Sequence, residues 1–543
     1  MKKIIFILLI GPFSFCIGQQ KADMMVYNAK VYTVDPNFSI ANAFIIEKGK
    51  IIAVGKMSDL INKYDPKEKL DAKGKFIYPG FIDAHAHFVG YSVQLQTADL
   101  FNAYSWNEIL DRLVNFSKEH PDGWLLGRGW DQNKWEDKKF PLNDKLNELF
   151  PDRPVVLTRV DGHAVIANNK ALEIANIKSV QIISGGEIEQ INGKLTGILI
   201  DNATKLVNSK VPSLSSVESK KALLTAQHNC FAVGLTSLDD CGLDFSTVLW
   251  LDKLQKEGEL KMRIYAMLSD RKSNYDFIFK RGKIKTDRLN VRSFKVYADG
   301  ALGSRGAALL QPYSDKPGWG GFLLSSKEHF DSVANIIALH GFQMCTHAIG
   351  DSGNRTILNI YAKYLKGKND LRWRVEHAQV IDQMDFHLFG QNNIVPSVQP
   401  THATSDMYWA GDRLGKERIK GAYAFKQLLN ENGWIPLGTD FPVEDISPFK
   451  TFFAAVARQD SKGFPKNGFQ MENSLTRKEA LKGMTIWAAK SNFEEHEKGS
   501  IEKGKFADFI ILDKDIMNID IKEVLNTKVI KTFINGEMVY EKK

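Results

Sequence analysis

Cysteine is scarce here: four residues in 543, at Cys16, Cys230, Cys241 and Cys345. If Cys16 leaves with an N-terminal leader, three remain, and an odd number cannot all pair. Cys230 and Cys241 flank a run predicted to be a buried strand, so free thiols are the reading. This excludes a disulfide-stapled scaffold. Long apolar runs are missing too. Residues 4–10 are apolar but too short for a permanent membrane span, and no later stretch reads as a membrane helix. One-sided charge is also absent: 72 Lys and Arg face 64 Asp and Glu, a net charge of +8. The richest basic stretch, 271–288, is broken by Asp276 and Asp287. It reads as a solvated face, which excludes a nucleic-acid surface. Short-period repeats and low-complexity tracts do not occur.

What is present is ordinary globular material, 43% hydrophobic and 25% charged, at a length suited to a large barrel with added parts. The N-terminus has the form of an export signal. Lys2 and Lys3 make a positive region, 4–10 is the apolar region, and Gly18 precedes Gln19. Residues 1–18 are therefore expected to be cleaved, giving a periplasmic or secreted protein. Lipid anchoring at Cys16 is the alternative, disfavoured by the bulk of Phe15.

Strand-like segments stand at both ends. Residues 24–34 read as one short strand, 43–47 and 50–54 as a hairpin around Gly49, and 75–78 as a further strand. Residues 507–512 and 529–539 match them at the other end, with Asn535-Gly536 as a hairpin turn. The expectation is a composite β-sandwich from 19–78 and 497–543, enclosing a core domain over 79–496. Residues 89–215 are rich in turns and tryptophan and too long for one barrel loop. They are expected to form a subdomain inserted after the first barrel strand. Strands at 234–238, 262–268, 293–297, 342–346, 372–376, 394–398 and 434–437 then alternate with helical runs. With the strand before His85 they number eight, which predicts an α/β fold of the (β/α)8 TIM-barrel type.

Active sites of such barrels lie at the C-terminal strand ends. In Pro79-Gly80-Phe81-Ile82-Asp83-Ala84-His85-Ala86-His87 the strand period of two points His85 and His87 the same way. Lys295 lies on strand four, His347 ends strand five, His377 strand six and Asp440 strand eight. Each alone has a plainer reading, as a packed histidine, a paired lysine or a turn aspartate. Only 12 histidines occur in the chain, however, and four of them fall at strand ends in register with a lysine and an aspartate. A divalent metal site follows, with zinc the first choice and one or two ions. Metal-bound water ionises near neutral pH, and Asp440 is placed to move its proton. Lys295 as a cation is a poor neighbour for a metal. As an N6-carboxylated carbamate it would be an anionic ligand able to bridge two ions.

The set His-x-His, Lys, His, His, Asp resembles the amidohydrolase superfamily. Longer strings make the chain similar to its amidohydrolase-3 branch, the group of N-substituted formamide deformylases. They include Gly127-Arg128-Gly129-Trp130-Asp131, Asp161-Gly162-His163, Lys295-Val296-Tyr297-Ala298-Asp299-Gly300, Arg374-Val375-Glu376-His377-Ala378-Gln379 and Leu437-Gly438-Thr439-Asp440-Phe441-Pro442. The resemblance implies His85 and His87 on the more buried metal, Lys295 as the bridging carbamate and His347 and His377 on the second metal. It makes Asp440 both ligand and proton shuttle.

Four further residues are candidate substrate contacts: His163 from the inserted subdomain, His402 after strand seven, Arg305 for a substrate carboxylate, and Trp130 at the pocket. A structural turn, an internal ion pair and core packing are their plainer alternatives. Cys345 reads as packing inside the barrel. The functional expectation is a metal-dependent hydrolase cleaving a non-peptide carbon–nitrogen bond in a small molecule, with no nucleic-acid partner and homo-oligomerisation left open. A deaminase or esterase on the same site is the near alternative. A non-catalytic metal-containing solute-binding protein is the distant one, and it has no use for Asp440.

Overall fold

The computed structural model describes residues 19–178 and 181–543. The expected export signal and Cys16 lie outside the described residues. No described helix is long and apolar enough to cross a membrane.

Seven parallel strands make a nearly closed barrel in chain order: Phe81–Ala86, Leu235–Leu243, Arg263–Ser269, Leu289–Tyr297, Gln343–Ala348, Arg374–His377 and Val395–Ser397. Helices between them, such as Phe245–Lys256, Lys327–Leu339 and Asp351–Leu365, cover the outside. The crossover helices follow from the parallel pairing. The predicted eighth strand differs. Residues 434–440 form no regular strand and close the barrel through single contacts: a bridge between Val398 and Leu437, Ala84 N to Leu437 O (3.2 Å) and Asp440 N to His85 O (2.8 Å). Gly438 makes that closure sterically possible. A Cβ there would stand 2.6 Å from the His85 backbone nitrogen.

The chain ends form two more sheets. One runs in the order Lys50–Gly55, Ala43–Glu47, Gln20–Tyr27, Tyr64–Asp71. The other interleaves both ends of the chain, with Phe76–Pro79 antiparallel to Phe509–Leu512. Val26, Phe44 and Ile46 of the first sheet share a hydrophobic cluster with Ile77, Phe509 and Phe533 of the second. The single strand expected over 24–34 is two, Gln20–Tyr27 and Lys30–Tyr32. Between them Asn28 takes a left-handed backbone (φ 54°), which Asn tolerates better than most residues. A further six-stranded sheet is built from strands between Ala98 and Asp201. It has its own core around Leu113, Trp130, Leu157 and Ile198.

The floor of the barrel is polar and fully buried. Arg374 donates to Asp239 (2.7 Å) and to Ala84 O (3.2 Å), and Asn492 donates to the other Asp239 oxygen (2.5 Å). Burial pushes the Asp239 carboxyl up to about 7 despite the arginine. A second buried pair ties the barrel to the terminal sheets. Arg263 donates from Nε (2.5 Å) and Nη2 (2.9 Å) to Asp508, and its guanidinium lies 3.9 Å over the Phe506 ring. Removing one partner strands a charge out of water. Asp508→Ala should therefore lower unfolding free energy by about 3–5 kcal/mol in denaturant titration. A loss below about 1 kcal/mol, the level of an exposed pair, would mean the two units are not coupled through this contact.

Candidate active site

The barrel's C-terminal edge brings the predicted residues together. His85, Lys295, His347, His377 and Asp440 are all buried, and His87 stands beside them with its side chain 28% exposed. One ring nitrogen each of His85 and His377 and one oxygen of Asp440 lie within 4.8 Å of one another. The His85 and His377 ring centroids are 4.7 Å apart, and those of His347 and His377 are 4.6 Å apart. Lys295 Nζ is 3.1 Å from His85 Nε2.

Three of the histidines are oriented from behind. The His85 Nδ1 proton is held by Glu376 Oε2 (2.6 Å), that of His377 by Gln399 Oε1 (2.7 Å) and that of His87 by the Cys241 carbonyl (3.1 Å). Assigned from these partners, each Nε2 carries a lone pair. Burial, then the Lys295 cation, lowers the His85 pKa to about 4. Burial, then neighbouring imidazoles, holds His347 and His377 well below the usual value. Neutral imidazoles are what a metal ion requires.

Asp440 supplies the test of fit. Its Oδ1 is 3.2 Å from His87 Nε2 and 3.5 Å from His85 Nε2, and it is buried with no hydrogen-bond partner. Among the described acceptors the Lys295 ammonium reaches only His85 Nε2; the lone pair of His87 Nε2 and Asp440 Oδ1 face each other, an arrangement that costs energy until a cation sits between them. The residues fit a divalent ion. The other Asp440 oxygen is 3.2 Å from His402 Nε2. Burial opposes charge on His402, but Asp440 and Glu444 outweigh it and raise its pKa well above the usual value.

The backbone enforces this geometry at two strained points. His377 (φ 72°) and Asp440 (φ 63°) are both left-handed, a conformation costing on the order of 1–3 kcal/mol outside glycine. Asp83 anchors the second. Its carboxylate accepts from the backbone N–H groups of His85 (3.1 Å) and Thr439 (3.0 Å) and from Thr439 Oγ1 (2.6 Å). Asp299 anchors the loop beside His347, accepting from the N–H groups of Ala308, Ile349 and Gly350. Its Oδ1 is 3.8 Å from His347 Nε2.

Above the centre opens a cavity of about 1260 Å³, lined by barrel residues and by the inserted sheet. Two of the four candidate substrate contacts reach it, His163 and His402. His163 Nδ1 pairs with Asp201 (2.5 Å), and its ring is 5.1 Å from that of His347. The other two do not line it. Arg305 turns away to pair with Asp315 (2.9 Å). Trp130 is fully buried in the inserted sheet's core, with its Nε1 bonded to Leu157 O (2.8 Å). The plainer readings of both prevail. Cys241 and Cys345 pack beneath the centre with Tyr265 and Met267, and all three described cysteines are free. Asp83, Asp201, Glu376 and Gln399 were not among the residues predicted for the site. Asp83 did leave a trace, sharing strand parity with His85 and His87. Asp201 and Gln399 left none.

The family model described as the amidohydrolase family matches residues 68–540. The chain is 31% identical over 522 residues to the putative amidohydrolase YtcJ of Bacillus subtilis, covering 94% of this chain and 98% of that protein. It is 26% identical over 550 residues to the N-substituted formamide deformylase of Arthrobacter pascens, covering 96% and 99%. Among solved structures, an uncharacterized metal-dependent hydrolase from Pyrococcus horikoshii OT3 superposes with a TM-score of 0.75 at 26% identity, covering 92% of this chain and 99% of that one.

If Glu376 orients a ligand, Glu376→Gln should weaken metal affinity by about 10- to 100-fold in chelator competition. Affinity equal to wild type would remove the Glu376 charge as a support for His85.

Proposed function

The chain belongs to the metal-dependent amidohydrolase family, and on that premise we propose that it hydrolyses a non-peptide amide or formamide-type carbon–nitrogen bond in a small molecule. The observation that carries this is Asp440. One oxygen is orphaned among imidazole lone pairs, the other is held by His402, and both lie at the floor of a cavity large enough for a substrate. The formamide deformylase relative supports the bond type.

His85, His87, Lys295, His347, His377 and Asp440 would hold the metal, taken as zinc, with Lys295 as a carboxylated bridge if two ions bind. A divalent ion there supplies water activation and carbonyl polarisation. The protein does the rest. Asp440 accepts a proton from the attacking water as its oxygen bonds to the carbonyl carbon. It returns that proton to nitrogen as the carbon–nitrogen bond breaks, leaving an acid and an amine. His402 keeps one Asp440 oxygen fixed, so the other is the proton carrier. His163 faces the substrate's oxygen. Burial works against its charge, but Asp201 outweighs this and raises its pKa, which suits a donor to developing negative charge. The same reading takes 1–18 as a cleaved export signal, 19–78 with 497–543 as a supporting β-sandwich, and 89–215 as the inserted wall of the site.

Asp440→Asn, assayed with metal bound on a formamide and acyl-amide panel, should lower kcat by about 100- to 10,000-fold. Rates equal to wild type would remove Asp440 from proton transfer. No amide hydrolysis by the metal-loaded wild type, with ammonia released from amino-heterocycles instead, would replace this reading with a deaminase.

A further inference from the structure

Two arginines line the cavity, and they differ in a way that the chemistry at Asp440 does not explain. Arg159 is saturated. It bonds Gln132 (2.8 Å) and Asp131 (2.5 Å), and also pairs with Asp161. Arg128 has no ion pair among the described residues, and its single hydrogen bond is a long one, Nη2 to Val160 O at 3.4 Å. Its Nε is buried with no partner at all. Of the acids nearby, Asp131 and Asp161 are committed to Arg159, Asp406 to Tyr423 and Glu444 to Ser405, and Asp440 makes no ion pair with Arg128 but faces His402 and the histidines of the centre. The lysines at the rim, Lys134, Lys138 and Lys462, are exposed.

The two glycine-bearing motifs of the inserted sheet make this placement. Gly129 (φ 117°) allows the strand to turn after Arg128. A Cβ there would stand 2.4 Å from the Phe101 ring. Gly162 (φ 75°) leaves open the space beside the guanidinium, where a Cβ would stand 3.2 Å from Arg128 Nη2. The guanidinium is half-buried at the cavity wall, with its Nε out of reach of water and without a partner. Native structures rarely keep such a group without cause, and a guanidinium fork matches a carboxylate's two oxygens.

We propose that Arg128 anchors a carboxylate of the substrate, so that the natural substrate is an amide carrying a free carboxylate away from the scissile bond. The proposal rests on the amide-hydrolysis reading above for the bond cleaved, and on Arg128 alone for the anion.

The test is calorimetric titration of metal-loaded protein with benzoate and with benzamide, its uncharged match. Wild type should bind benzoate, and Arg128→Met should bind it about 10- to 100-fold more weakly, the worth of a hydrogen bond to a charged group. Benzamide binding should not change. Arg128→Lys should recover part of the loss, because it restores charge without the fork. The melting temperature of Arg128→Met should stay close to that of wild type, since only the long bond to Val160 O is lost. Equal benzoate binding by wild type and Arg128→Met would overturn the proposal. So would inorganic phosphate binding more tightly than benzoate, or a lowered melting temperature with both ligands lost, the mark of a structural arginine. The titration does not depend on turnover, so a protein that hydrolyses no amide would sink the bond assignment alone.

Discussion

A carboxylate with no exposure at the centre of a barrel must be neutralised where it stands, and Glu376 is such a group. Burial pushes its pKa up, but His85 and then Arg374 outweigh that and bring it down to about 2. Arg374 is committed below to Asp239, and Asp239 to Asn492. A line of buried polar groups thus runs up the barrel from Asp239 through Arg374 and Glu376 to the neutral His85 ring. It interrupts the apolar filling usual in such barrels, of which Cys241, Tyr265, Met267 and Cys345 remain beside it. Everything above inherits its orientation. With Nδ1 committed to Glu376, His85 has only Nε2 to offer the centre.

Strain and closure meet at the same place. The seventh and first barrel strands do not pair regularly with 434–440, so the barrel shuts through a few hydrogen bonds around Gly438 and Asp83. That irregular seam delivers Asp440 in a left-handed conformation beside His85. A regular eighth strand would alternate its side chains and continue its pairing. The seam instead ends in a turn, with Val443 N bonded back to Asp440 O (2.8 Å). The cost of two left-handed residues, His377 and Asp440, falls where the acceptors also crowd one another. Both are pre-organisation for a cation.

The work of the site divides between two structural units. The barrel supplies the candidate metal ligands and their supports. The inserted sheet supplies His163 with Asp201, and the Arg128 guanidinium. A barrel that carries the candidate centre and an inserted sheet that walls its cavity give a physical reason that one scaffold can serve many substrates.

Periodicity alone disclosed the alternation of strands and helices, the barrel order, and the coincidence of four histidines, a lysine and an aspartate at strand ends. Each of those signals is local, resting on a period of two or on short spacing. Tertiary structure decided the rest. Strand parity sets Glu376 inward and would set His377 outward, and only the positive φ at His377 brings its ring back to the centre. The support of Asp201 for His163 joins residues 38 apart in sequence, and that of Gln399 for His377 joins residues 22 apart. No periodic pattern announces either pair. Trp130 and Arg305 show the converse. Both were candidate substrate contacts, yet packing took Trp130 and Asp315 took Arg305. Sequence shows which chemistry a strand can present, but whether a polar group ends up paired or free depends on what the fold brings against it.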